Sequence, residues 1–94
     1  MSIIAVEYTY VDRPELLSEH RPAHRAFLAS LLEAGSLIAS GPLGDTGSSA
    51  LIVLCAESPE EALALLDIDP FLDAGAIEER VARKWSVVLG FESL

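Results

Sequence analysis

The hydrophobic patterns along this 94-residue chain predict an α+β domain with element order βαββαβ. Three observations carry that prediction. The first is an alternating stretch at Ile3–Tyr10, matched by another near Val81–Leu89. The second is a run at Ala50–Ala56 that is apolar at every position. The third is a pair of helix starts, at Pro22 and at Ser58-Pro59-Glu60-Glu61, each lying between two strands.

In the first strand, Ile4, Val6, Tyr8 and Tyr10 share one parity, while Ile3, Ala5, Glu7 and Thr9 share the other. Asp12, Arg13 and Pro14 break it. Glu15 to His20 reads as a charged connection or a helical turn, because a proline inside a helix clashes with the preceding turn. The first helix is therefore expected to begin at Pro22 and to end at Gly35. His24, Leu28, Leu31 and Gly35 form one stripe on it, widened by Phe27, Leu32 and Ala34. Arg25, Ser30 and Glu33 fall largely on the other side. A second strand covers Ser36–Gly41 and stops at Pro42, which also suits a sheet edge. Leu43–Ser49 is a turn region. The third strand is Ala50–Ala56.

The second helix opens with Ser58 as cap, Pro59 at the first position and Glu61 closing the capping box. Ala62, Leu65 and Leu66 give its buried face, and Asp69-Pro70 ends it. Phe71–Gly75 is a short segment, helical or irregular, and the last strand lies within Ala76–Leu89. Two helices suit one face of a four-stranded antiparallel sheet, the ferredoxin-like arrangement, with strand order 4-1-3-2. The helices cover only one face, yet the third strand is apolar on both. A second copy of the chain, sheet to sheet, is the simplest cover for the other, so a homodimer is expected; another protein partner is the alternative.

Composition narrows the function. Six basic against fifteen acidic residues leave a net charge of −9. This argues against nucleic acid, whose affinity comes largely from phosphate neutralisation, and against anionic membrane surfaces. One cysteine, Cys55, lies in an apolar run and reads as a small core residue in a reducing compartment. No signal peptide or membrane span is recognisable, and a single cytoplasmic domain over residues 1–94 is expected.

A histidine on an apolar stripe must find hydrogen-bond partners. Asp69, at the end of the second helix, is the best candidate for His24. A carboxylate on one ring nitrogen fixes the tautomer and leaves the other nitrogen free as a base, the minimum for general acid–base chemistry. Each residue also has a structural explanation: His24 as a core histidine held by backbone, Asp69 as the N-cap of the Phe71 segment. Ser40 could place a hydroxyl near the site or simply end a strand. Arg21 could bind a substrate carboxylate or form a surface salt bridge with Glu19 or another acid. His20 and His24 have the spacing of a helical metal pair, but Pro22 between them argues against it, and neither metal nor cofactor is expected. Tyr8, Tyr10, Phe71 and Trp85 could line an aromatic pocket, core or dimer interface.

Arg21-Pro22-Ala23-His24, Gly35, Ser40-Gly41-Pro42, Ser58-Pro59-Glu60-Glu61-Ala62, Asp69-Pro70-Phe71 and Ala74-Gly75, in this order, resemble the YCII-related (YciI-like) family. The resemblance implies a ferredoxin-like chain that forms a dimeric α+β barrel, similar in architecture to muconolactone isomerase. It implies an active site on His24 and Asp69, with Arg21 and Ser40 at flanking positions. Some members of that family are dehydrochlorinases of chlorinated hydroxyquinols. The expected activity is isomerisation or elimination on a small cyclic or aromatic acid, without a cofactor. The alternative is a non-catalytic dimeric ligand-binding or accessory module, in which the same two residues tie helix ends together.

Overall fold

The computed structural model describes residues 1–91. Its elements are β1 (Ser2–Tyr10), α1 (Pro14–Glu33), β2 (Leu37–Pro42), β3 (Ser49–Ala56), α2 (Pro59–Leu66), α3 (Pro70–Asp73) and β4 (Ile77–Lys84). The sheet is antiparallel with strand order β2-β3-β1-β4, the expected ferredoxin-like order.

Cross-strand partners share a face, so the register assigns the two faces. Ile4 opposes Leu54, and Val6 opposes both Ile52 and Ala82. With Tyr8 and Ala56 these residues form the core under the helices, where Leu28, Leu37, Ala62 and Leu66 join them. The other face carries Ala5 opposite Val53 and Glu7 opposite Leu51 and Val81. Val81 and Trp85 remain 41% and 40% exposed there.

The first helix departs from the sequence reading. It does not begin at Pro22; it is one helix of 20 residues with Pro14 in the first turn and Pro22 inside. Pro22 and Ser18 are both exposed, so the Ser18 carbonyl that loses its N–H partner faces water and not the core. The segment at residues 15–20 belongs to the same buried stripe. Leu17 is buried seven residues before His24, and Leu28 follows four residues after it. That spacing was the signal for a continuous helix.

The exits match the expectations. Gly35 has φ +86°, a conformation that favours glycine. It closes α1 with a Schellman pair, Ser36 N–H to the Leu31 carbonyl (2.9 Å) and Gly35 N–H to the Leu32 carbonyl (3.1 Å). Ser58 caps α2, its hydroxyl accepting from Glu61 N–H at 3.1 Å. The Glu61 carboxylate reaches back to Glu57 N–H (3.3 Å), one residue earlier than a standard box requires. The last strand ends at Lys84, so Val87 and Leu89 follow it in irregular chain. No helix among the described residues is long and apolar enough to cross a membrane.

Candidate active site

α1 and α3 meet at one end of the sheet, and there the two halves of the chain place His24 against Asp69. Asp69 is fully buried and His24 is 7% exposed. The Nδ1 of His24 lies 2.9 Å from Oδ1 and 3.0 Å from Oδ2 of Asp69. Two further donors reach the same carboxyl group. The Tyr8 hydroxyl donates to Oδ2 at 3.0 Å, and the Phe71 N–H donates to Oδ1 at 2.9 Å. Asp69 is therefore both the N-cap of α3 and the orienter of His24.

These contacts assign the ring proton. Both carboxylate oxygens already act as acceptors, so Nδ1 is the donor, and in the neutral ring Nε2 carries the lone pair. Among the described residues, Nε2 has no hydrogen-bond partner, and no fully buried side-chain polar atom lacks one. Nε2 therefore faces the cavity that His24 helps to line. The Phe71 ring lies flat on the imidazole, with centroids 4.0 Å apart and 11° between planes, and holds it in this orientation.

The cavity beside His24 has a volume of about 430 Å³. Its apolar wall comes from Leu28, Ala50, Ile52 and Phe71, with Tyr10 set edge-on against Phe71 at 5.4 Å. Its polar rim is Arg21, Arg25 and Ser40, and among the described residues no carboxylate lines it. Burial, and secondarily the Asp69 charge, push the Tyr10 hydroxyl up to about 12. The same causes in the same order hold the Tyr8 hydroxyl further above its ordinary value, and its hydrogen bond to Asp69 adds to them. Both phenols are neutral donors at physiological pH.

His24, Asp69, Arg21 and Ser40 thus meet at one place. Arg21 does not pair with Glu19, which lies instead beside His20 at 3.5 Å. Two contributions lay outside the sequence reading, Arg25 at the cavity and the Tyr8 hydrogen bond to Asp69. Arg25, assigned to the solvent side, lines the cavity, because it follows Arg21 by one helical turn. Tyr8 is core and not cavity lining; its hydroxyl completes the Asp69 set. Its parity in β1 marked it as buried, and a buried phenol requires a partner. Trp85 is also away from the cavity, edge-on to Phe91 at 5.6 Å. Among the described residues no cluster of three His, Cys, Asp or Glu side chains is arranged to hold a metal ion.

A four-stranded antiparallel sheet in the order β2-β3-β1-β4, with helices packed on it, defines the ferredoxin-like α+β fold. The chain belongs to the YCII-related domain family, whose model matches residues 1–86. Among solved structures it is similar to a 5-chloro-2-hydroxyhydroquinone dehydrochlorinase from Burkholderia phenoliruptrix AC1100, in complex with 2,5-dihydroxybenzoquinone. The TM-score is 0.74 at 19% identity, over 89% of this chain and 93% of that one. It is also similar to an antibiotic biosynthesis monooxygenase (TM-score 0.60, 9% identity, 95% and 100% covered). A NIPSNAP family protein from Agrobacterium tumefaciens gives 0.53 at 19% identity, with 89% and 90% covered. These likenesses establish the fold. None of the curated proteins matches the chain in sequence.

Proposed function

We infer that the chain is a small-molecule enzyme in which His24 is the general base and Asp69 its orienter. One observation carries this reading: Nδ1 is bound at 2.9–3.0 Å by a buried carboxylate, while Nε2 is free toward a cavity. In the proposed reaction, Nε2 removes a proton from a carbon of a small cyclic or aromatic acid. The same imidazolium then returns it at another position, or a leaving group departs, giving isomerisation or elimination. Asp69 stabilises the imidazolium, Phe71 keeps the ring in plane, and Arg21 and Ser40 place the substrate. The dehydrochlorinase likeness supports an elimination on a ring compound. A second copy is proposed to cover the open sheet face, where Val81 and Trp85 are exposed beside Leu51 and Val53.

The test is a panel of cyclic and aromatic acids, chlorinated and unchlorinated, incubated with the protein in D2O. NMR follows C–H exchange and isomer formation, and a chloride electrode follows elimination. One compound is expected to turn over, and His24→Gln to lower its rate about 10²–10⁴-fold. Asp69→Asn is expected to lower it as well. Its amide can donate to Nδ1 and thereby put the ring proton on Nε2. Turnover that survives His24→Gln unchanged refutes the assignment. The alternative, an accessory module, is favoured if the acids bind beside His24 and none reacts.

A further inference from the structure

Arg21 and Arg25 flank His24 on α1 and both line the cavity. Four residues apart on a helix, they lie one above the other, where like charges repel. Nothing among the described residues compensates. Neither guanidinium makes an ion pair or a hydrogen bond there, and no carboxylate lines the cavity. Of the four other basic residues, Arg13 and Arg80 pair with Glu15 and Asp67, while Arg83 and Lys84 make no ion pair among the described residues. What sets Arg21 and Arg25 apart is that both line the cavity that His24 lines. Like charges one helical turn apart are mildly destabilising, and on the rim of a cavity beside an oriented imidazole they are matched by an anionic ligand.

We propose that Arg21 and Arg25 together hold a ligand with two negative charges, a ring dicarboxylate or its equivalent, and that Arg25 selects dianions over monoanions. The proposal rests on the catalytic reading of His24 for the ligand's position, and it adds the ligand's charge. One carboxylate satisfies one guanidinium through two parallel hydrogen bonds. A monoanion leaves the second arginine still repelled; a dianion neutralises both. The ring then lies along Tyr10 and Phe71, within reach of Nε2.

The experiment compares benzoate with isophthalate by isothermal titration calorimetry at low salt, in wild type, Arg25→Gln and His24→Gln. Arg25 is exposed, so its replacement leaves the fold intact. Isophthalate is expected to bind wild type at least tenfold tighter than benzoate. Arg25→Gln is expected to bring that ratio close to one while keeping benzoate affinity, and raised salt is expected to weaken isophthalate more steeply. Equal affinities in wild type, no binding of either acid, or a preference that persists in Arg25→Gln overturns the proposal. An Arg25→Gln change that only alters the molecular mass in solution assigns Arg25 to a subunit contact and overturns it too. His24→Gln is expected to keep the dianion preference. A failed base assignment and a failed anion site therefore give different results.

Discussion

Two histidines sit one helical turn apart on α1, each beside a carboxylate, and their surroundings could hardly differ more. His20 lies 3.5 Å from Glu19, with both side chains substantially exposed. His24 lies 2.9 Å from Asp69, with the carboxylate fully buried and held by Tyr8 and Phe71 as well. Sequence spacing treats the two alike. The difference comes from where the carboxylate originates: Glu19 is a chain neighbour on the solvent side, whereas Asp69 arrives from the other half of the fold. An exposed pair is screened by water and contributes little. A buried pair is fixed in geometry, and its disruption leaves several groups without partners.

Asp69→Ala is the strongest way to break this contrast. It strands the Tyr8 hydroxyl, the His24 Nδ1–H and the Phe71 N–H together, and a loss of about 3–5 kcal/mol is expected in urea unfolding. A loss below about 1 kcal/mol would put the buried pair on the level of the exposed one. Tyr8→Phe keeps the ring and removes one donor to a charged acceptor, so about 2 kcal/mol is expected from the same measurement. It should also loosen the His24 ring, broadening its NMR signals.

Alkaline pH probes the buried side differently. The chain has only two tyrosines, Tyr8 and Tyr10. Both hydroxyls are raised above the ordinary 10, so the fold favours their neutral forms. Their contribution to stability is complete below pH 10; the Tyr10 share is lost as pH climbs through about 12, and the Tyr8 share only at still higher pH. Absorbance at 295 nm is expected to show little phenolate at pH 10 while the protein is folded; half-ionisation at that pH would contradict the burial. The smallest effect is expected of Glu19→Gln, within about 0.5 kcal/mol, and a larger one would show His20 to be more than a surface neighbour.

Much of the arrangement was legible in the sequence, for identifiable reasons. Strand parity, the apolar stripe of α1 and the capped start of α2 give the element order, and that order brings α1 and α3 together at one end of the sheet. His24 could be paired with Asp69 because an imidazole on an apolar stripe needs a partner and Asp69 stands at the end of the second helix, although an acid before proline is by itself an ordinary N-cap. The start of α1 was misread because Pro22 carries a strong local signal, while the Leu17–His24–Leu28 stripe that overrides it is spread over a longer span. The Tyr8 hydrogen bond was hidden because parity tells which face a residue takes and not which atom it meets there. Arg25 was assigned to solvent because its place at the cavity edge depends on β2 and Gly47 closing the opposite side.

Asp69 serves two masters at once, since the oxygen that receives the Phe71 amide also holds His24. Fraying of the four-residue α3 and misalignment of the His24 imidazole are therefore a single event. The Phe71 amide becomes a built-in gauge: its rate of hydrogen–deuterium exchange reads how often the imidazole is released from its support.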